Sequence, residues 1–133
     1  MNNRTAICSW SLKNDLARVS STLQNTGLSC LHLDVSAIET FKDAILDKGW
    51  TVNCTMVSFP QEDYTTLDTI RTSGGILPDA EWPQNRELAL NAIKATAAMK
   101  VPYLSTHAGF IDHTDPVAYS AFCERMRELA KAA

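Results

Sequence analysis

Four times along this chain a short apolar strand-like run gives way to a helix-like run, and that alternation restricts its fold more than any other feature. The expected strands cover residues 5–10, 28–34, 51–59 and 103–107. The expected helices cover 14–26, 36–48, 83–100 and the stretch from 115 onward. Such alternation produces parallel sheets, whose strands are either covered by helices on both faces or closed into a barrel. Local punctuation agrees. Gly27 and Gly49 stand where left-handed caps end helices. Ser36-Ala37-Ile38-Glu39 spells a capping box, and Asp115-Pro116 supplies an N-cap followed by proline at the first helical position. Leu16, Val19 and Leu23 form an apolar stripe, as do Ile38, Phe41 and Ile45, then Leu88, Ala92, Ile93 and Met99, then Phe122, Met126 and Leu129.

Side chains alternate across a strand. In the second strand Leu31 and Leu33 point one way and Cys30, His32 and Asp34 the other. In the fourth, Leu104 and Thr106 oppose Tyr103, Ser105 and His107. The apolar face is expected to meet the helices. The other face is semi-polar and ends in Asp34 and His107. A doubly wound sheet reads apolar on both faces, whereas a polar alternate face suits a barrel interior with its site at the C-terminal mouth. The third strand leaves the choice open: Asn53 and Thr55 fit the interior, but Val57 shares their parity. The expected fold is therefore α/β, a (β/α) barrel type with parallel strands, in which four βα units make half of a TIM barrel. Residues 1–133 are expected to form one domain.

Residues 60–82 contain Ser73-Gly74-Gly75 and Pro78, with a short helix expected over 64–70. Loops this long in a compact domain usually serve as lids or binding loops. His107-Ala108-Gly109 places an imidazole at a strand end, where barrel enzymes present ligand-contacting groups. Asp34 can serve the same purpose or cap a loop beside Ser36. His32 reads as a satisfied core residue, and His113, between Asp112 and Asp115, as exposed loop.

The net charge of −3 gives no basic footprint for nucleic acid. No apolar run approaches the ~20 residues that span a bilayer. The first residues lack a basic region followed by a long apolar stretch, so no secretory leader and a cytoplasmic location are expected. Cys8, Cys30, Cys54 and Cys123 form no CxxC pair and read as free thiols. Asn53-Cys54-Thr55 matches a glycosylation sequon but falls inside an expected strand, and is set aside. Cys30, His32, Cys54 and His107 are all legal zinc ligands by type, yet their spacing matches no metal motif.

The stretch from Met56-Val57-Ser58-Phe59-Pro60-Gln61-Glu62-Asp63-Tyr64 through Thr69-Ile70-Arg71, Gly74-Gly75 and Pro78-Asp79 resembles the sugar phosphate isomerase/epimerase family, the xylose isomerase-like TIM barrels. Thr106-His107-Ala108-Gly109-Phe110 is similar to the end of that family's fourth strand, and Gly27-Leu28 through Asp34 to its second unit. The resemblance spans the whole chain and corresponds to the N-terminal half of the barrel. It implies a divalent metal (Mn, Mg, Co or Zn) held by two glutamates, an aspartate and a histidine from the last four strands, with the glutamates moving a proton through an enediolate. No catalytic or metal-binding residue of this chain follows from it. What remains is a wall and lid, with Trp10, Asp34, Phe59, Glu62 and His107 as candidate contacts to a sugar or sugar phosphate.

Three further readings stand beside this one. Two copies of the chain could pair their edge strands into a non-catalytic sugar-binding barrel. The Cys/His set could make a small zinc protein. The chain could also be a relative of the barrel endonucleases, for which its acidic charge and few histidines are poorly suited. The partner expected for the main reading is the other half of a barrel, or a second copy of the chain.

Overall fold

The computed structural model describes residues 5–133. In chain order its elements are β1 (Ile7–Cys8), α1 (Leu16–Thr26), β2 (Cys30–Asp34), α2 (Ile38–Lys48), β3 (Thr51–Val57), α3 (Leu67–Ser73), α4 (Trp82–Ala98), β4 (Leu104–Thr106) and α5 (Pro116–Ala132). The strands form one sheet in the order β1-β2-β3-β4, and β2 runs parallel to both its neighbours. Sequence order equals spatial order. A doubly wound sheet reverses its winding partway, whereas a barrel steps onward in one direction. The four parallel βα units are thus barrel-type, as the polar strand faces implied.

The chain divides into two compact units. One runs through Met56 and includes Thr96–Ser105; the other joins Val57–Ala95 to Thr106–Ala133. The first has an apolar core in which Val19 and Leu23 of α1, Leu31 and Leu33 of β2, and Ala37 and Phe41 at α2 are buried together. Ile7, Leu16, Ile38, Ile45, Val52 and Met99 pack around them. Each large side chain fully withdrawn from water here contributes about 1.5–3 kcal/mol. The helix-facing role expected for Leu31 and Leu33 is confirmed.

Three local expectations are corrected. The first strand ends at Cys8, because Ser9–Leu12 coil into a 3-10 turn and Lys13 and Asn14 follow with left-handed φ of 59° and 54°. Trp10 therefore lies past the strand. The Ser36–Glu39 capping box does not form. Ser36 turns its hydroxyl and amide to Asp34 Oδ1 (2.7 and 2.8 Å), and α2 starts from Ala37 without a side-chain cap. The carboxylate at the strand end out-competes the helix for the serine. A capping box occurs instead at Thr66 and Thr69, opening α3.

The third correction concerns β3. Leu31 pairs with Val52, but His32 pairs with Cys54, so β3 spends one extra residue at Asn53. Such a bulge reverses the parity of everything after it. Thr55 consequently sits beside Leu33 on the helix side, not in the interior, and its hydroxyl meets that of Thr96 on α4 at 2.6 Å. Cys54 takes the place beside His32. α4 buries Asn85, Ala89, Ala92 and Thr96, a helical stripe half polar in content; Leu88 and Ile93 are only half-buried.

Candidate functional site

In the second unit a polar network forms from the segment after β3, the turn after α3 and the segment after β4. Its centre is Glu62, whose carboxylate is only 2% exposed. Burying a carboxylate is costly unless hydrogen bonds replace its water. Oε1 accepts the Gly75 N–H at 3.1 Å; Oε2 accepts the Phe59 N–H at 3.2 Å and the Tyr64 hydroxyl at 3.3 Å. Burial, followed by the charge of Glu62 and this hydrogen bond, raises the Tyr64 phenol above its ordinary range.

His107 follows β4 and turns Nδ1 toward the same carboxylate, 3.3 Å from Oε1. The separation permits an ion pair, but the alignment does not make a hydrogen bond, and Nδ1 is buried without another partner. The contact is electrostatic. The imidazole remains 28% exposed. Tyr64 lies beside it with ring centroids 6.2 Å apart, and Phe110 meets it edge-on at 5.6 Å.

The glycine pair makes this approach possible. A Cβ on Gly74 would lie 2.5 Å from His107 Cε1, and one on Gly75 would lie 2.3 Å from the Ala108 carbonyl carbon. Gly75 also has φ of +72°, a left-handed conformation that side chains disfavour. Its carbonyl accepts from Gln61 Nε2 (3.0 Å) and from the buried Asn85 Nδ2 (3.1 Å). Arg125 of α5 fixes the residues that follow, donating from Nη1 to the Ile76 and Leu77 carbonyls at 2.7 Å each and from Nη2 to Asp79. Its guanidinium lies over the Trp82 ring.

Asp63 and Asp112 brace the flanking loops. Each carboxylate is held below its ordinary range, first by the hydroxyl and then by the amide of the threonine two residues on, Thr65 or Thr114.

The first unit carries the other two sequence candidates. Asp34 receives Ser36 as described, while its own N–H donates to the buried Ser9 hydroxyl at 2.9 Å. Trp10 stacks on His32, with centroids 6.5 Å apart and planes at 30°. Cys8, His32 and Cys54 are aligned in register across three strands. Burial, then the neighbouring Cys54, pushes the Cys8 thiol up. None of the four cysteines is in a disulfide. Among the described residues no three His, Cys, Asp or Glu side chains gather as a metal site. The Cys30/His32/Cys54/His107 set weighed as a zinc site is therefore not gathered among the described residues.

Of the sequence candidates, Phe59, Glu62 and His107 share one unit, with Glu62 touching both others. Phe59 is buried, so its amide rather than its ring serves the network. Tyr64, Asn85, Phe110 and Arg125 were not named as site candidates from sequence; Gly74-Gly75 was the available signal for a close backbone approach. A cavity of about 410 Å³ between Ser20, Gln24, Leu28, Lys48 and Trp50 lies near the residues preceding β2 and β3. That is the end of a parallel sheet where barrel enzymes do not place chemistry, and the polar network is preferred to it despite the cavity's size.

No family model and no curated protein matches the chain. Among solved structures, a xylose isomerase domain protein from Planctomyces limnophilus is similar, with a TM-score of 0.75 and 15% identity over 85% of this chain. The match takes in 44% of that protein, so this chain spans less than half its length. The likeness to a xylose isomerase-like barrel expected from the residues is thus present in the fold. No helix among the described residues is long and apolar enough to cross a membrane.

Proposed function

We propose that this chain forms the substrate-facing wall and lid of a sugar or sugar phosphate isomerase/epimerase. The observation that carries the reading is Glu62: a buried carboxylate tying the segment after β3 and the Gly74-Gly75 turn to an imidazole at the end of β4. Strand ends of this kind are where barrel enzymes bind their ligands. Buried ionic networks are seldom justified by stability alone, since apolar residues of similar volume often do as well. Exposed Tyr64 and Phe110 rings flanking a half-exposed His107 offer apolar surface and a polar handle together. A sugar, with C–H faces and hydroxyl edges, matches both.

In this reading the divalent metal and the enediolate acid and base belong to the other half of a complete barrel, and this chain binds and orients. Titration of the ¹⁵N-labelled protein with D-xylose, D-fructose and their phosphates tests it. The expected result is saturable shifts at Gly74, Gly75, Ala108 and Phe110. Absence of binding by every sugar in the panel, with the other barrel half supplied as well, would overturn it.

A further inference from the structure

We infer that Glu62 sets the tautomer of His107, so that Nε2 is presented as a bare hydrogen-bond acceptor for a hydroxyl of a polyhydroxylated ligand. The identity of the ligand rests on the sugar-wall reading; the tautomer does not.

Glu62 Oε1 already accepts the Gly75 amide, and Oε2 accepts the Phe59 amide and the Tyr64 hydroxyl. Two fixed backbone donors hold both oxygens in place. An ionised carboxylate only accepts hydrogen bonds, and a neutral imidazole carries one N–H and one bare nitrogen. A bare Nδ1 at 3.3 Å from Oε1 would set lone pair against anion in a site closed to water. A proton on Nδ1 converts that repulsion into attraction, and the low local dielectric magnifies the difference. Nε2 is then the unprotonated nitrogen.

Packing closes the Nδ1 side of the ring. Gly74 lies against the Cε1–Nδ1 edge of the ring so closely that a methyl group could not be added there. Nε2, unlike Nδ1, is not among the buried unpartnered atoms, so the remaining exposure of the ring includes it. Among the described residues no protein group hydrogen-bonds Nε2. Tyr64 and Phe110 border the ring without covering it; they are 64% and 42% exposed. The imidazole therefore sits between two apolar surfaces. It selects ligands that donate, such as hydroxyls, over carbonyls or ethers that only accept. The misaligned 3.3 Å contact leaves room to shorten once a ligand O–H draws on Nε2, as such contacts commonly tighten in complexes. His107 is the ligand-contacting group, and Glu62 is a positioning residue acting through it.

The test is two-bond ¹H–¹⁵N correlation of the imidazole, at a pH where His107 is neutral, assigned by comparison with His107→Asn. The expected wild-type pattern is a pyrrole-like Nδ1 and a pyridine-like Nε2. A proton on Nε2 overturns the inference outright, whatever the protein binds. Glu62→Gln removes the charge and should move population toward Nε2–H; an unchanged spectrum in a folded Glu62→Gln protein also overturns it. Should that variant not fold, the wild-type spectrum still decides. Adding saturating D-fructose should shift Nε2. If calorimetry shows that sugar binds while Nε2 stays still, the acceptor role is refuted. If Nδ1 carries the proton but no sugar binds, the tautomer assignment stands and the sugar-wall reading fails.

Discussion

The two compact units bury different things. The first hides Val19, Leu23, Leu31, Leu33 and Phe41, an apolar core made by helices on a strand. The second hides a carboxylate, an amide and the polar end of an arginine around a glycine turn. Apolar burial is non-directional and grows with area. A polar network gains little net energy per bond and loses much when one partner is removed. The first unit is thus built for stability, and the second holds a set of groups in fixed positions.

Substitutions should separate the two. Phe41→Ala, in the first core, should cost about 3–5 kcal/mol through lost contacts and a residual cavity. Urea denaturation would show it as a lower midpoint; a loss under 1 kcal/mol would mean the core is not organised as described. Arg125→Met keeps the stem but removes the donors to Ile76, Leu77 and Asp79, and should cost about 1.5–3 kcal/mol, as hydrogen bonds to charged groups do. Its signature should be local: faster amide exchange at Gly75 and Ile76, with residues 31–33 still protected. Uniform loss of protection would erase the distinction between the units.

Thr96→Val should cost about 1 kcal/mol, because Thr55 keeps only its long 3.4 Å contact to the Tyr103 carbonyl. Thr55→Val with Thr96→Val should be less harmful than the sum of the two single changes, measured as a double-mutant cycle.

The smallest effect concerns pH. Asp63 and Asp112 have folded values depressed below their ordinary range, so their contribution is present above the unfolded carboxylate value, about 3.9, and is lost as pH falls through the folded one. Acid should therefore loosen residues 63–66 and 112–115 first. Asp63→Asn should abolish the pH dependence at residues 63–66 alone, seen in amide shifts; an unaltered profile would remove the threonine bonds as its cause.

The apolar unit was also the more legible in sequence. Leu31 and Leu33 announced the helix face by alternation, and Gly27, Gly49 and Asp115 ended or opened helices where the chain does. Alternation failed at Asn53, since an inserted residue in a strand leaves no mark in composition and swaps Cys54 with Thr55. The capping-box pattern failed at Ser36, where helix amides offered donors and the strand-end carboxylate an acceptor, and the serine turned to the carboxylate.

Of the site, His107 and Glu62 were readable as types at suggestive places. Their pairing was not, because residues 45 positions apart are joined only by the tertiary fold. Asn85 was invisible for a related reason: a polar residue on a helix reads as solvent-facing until a buried carbonyl, here that of Gly75, claims it.

The central claim is that the Glu62–His107 end of β4 contacts a sugar. Isothermal titration of wild type and His107→Ala with the sugar that shifts Gly75 most strongly tests it directly. The account predicts at least about a tenfold weaker affinity for His107→Ala, equivalent to 1.4 kcal/mol, with the fold intact by amide exchange at residues 31–33. Equal affinity in the two proteins would contradict it.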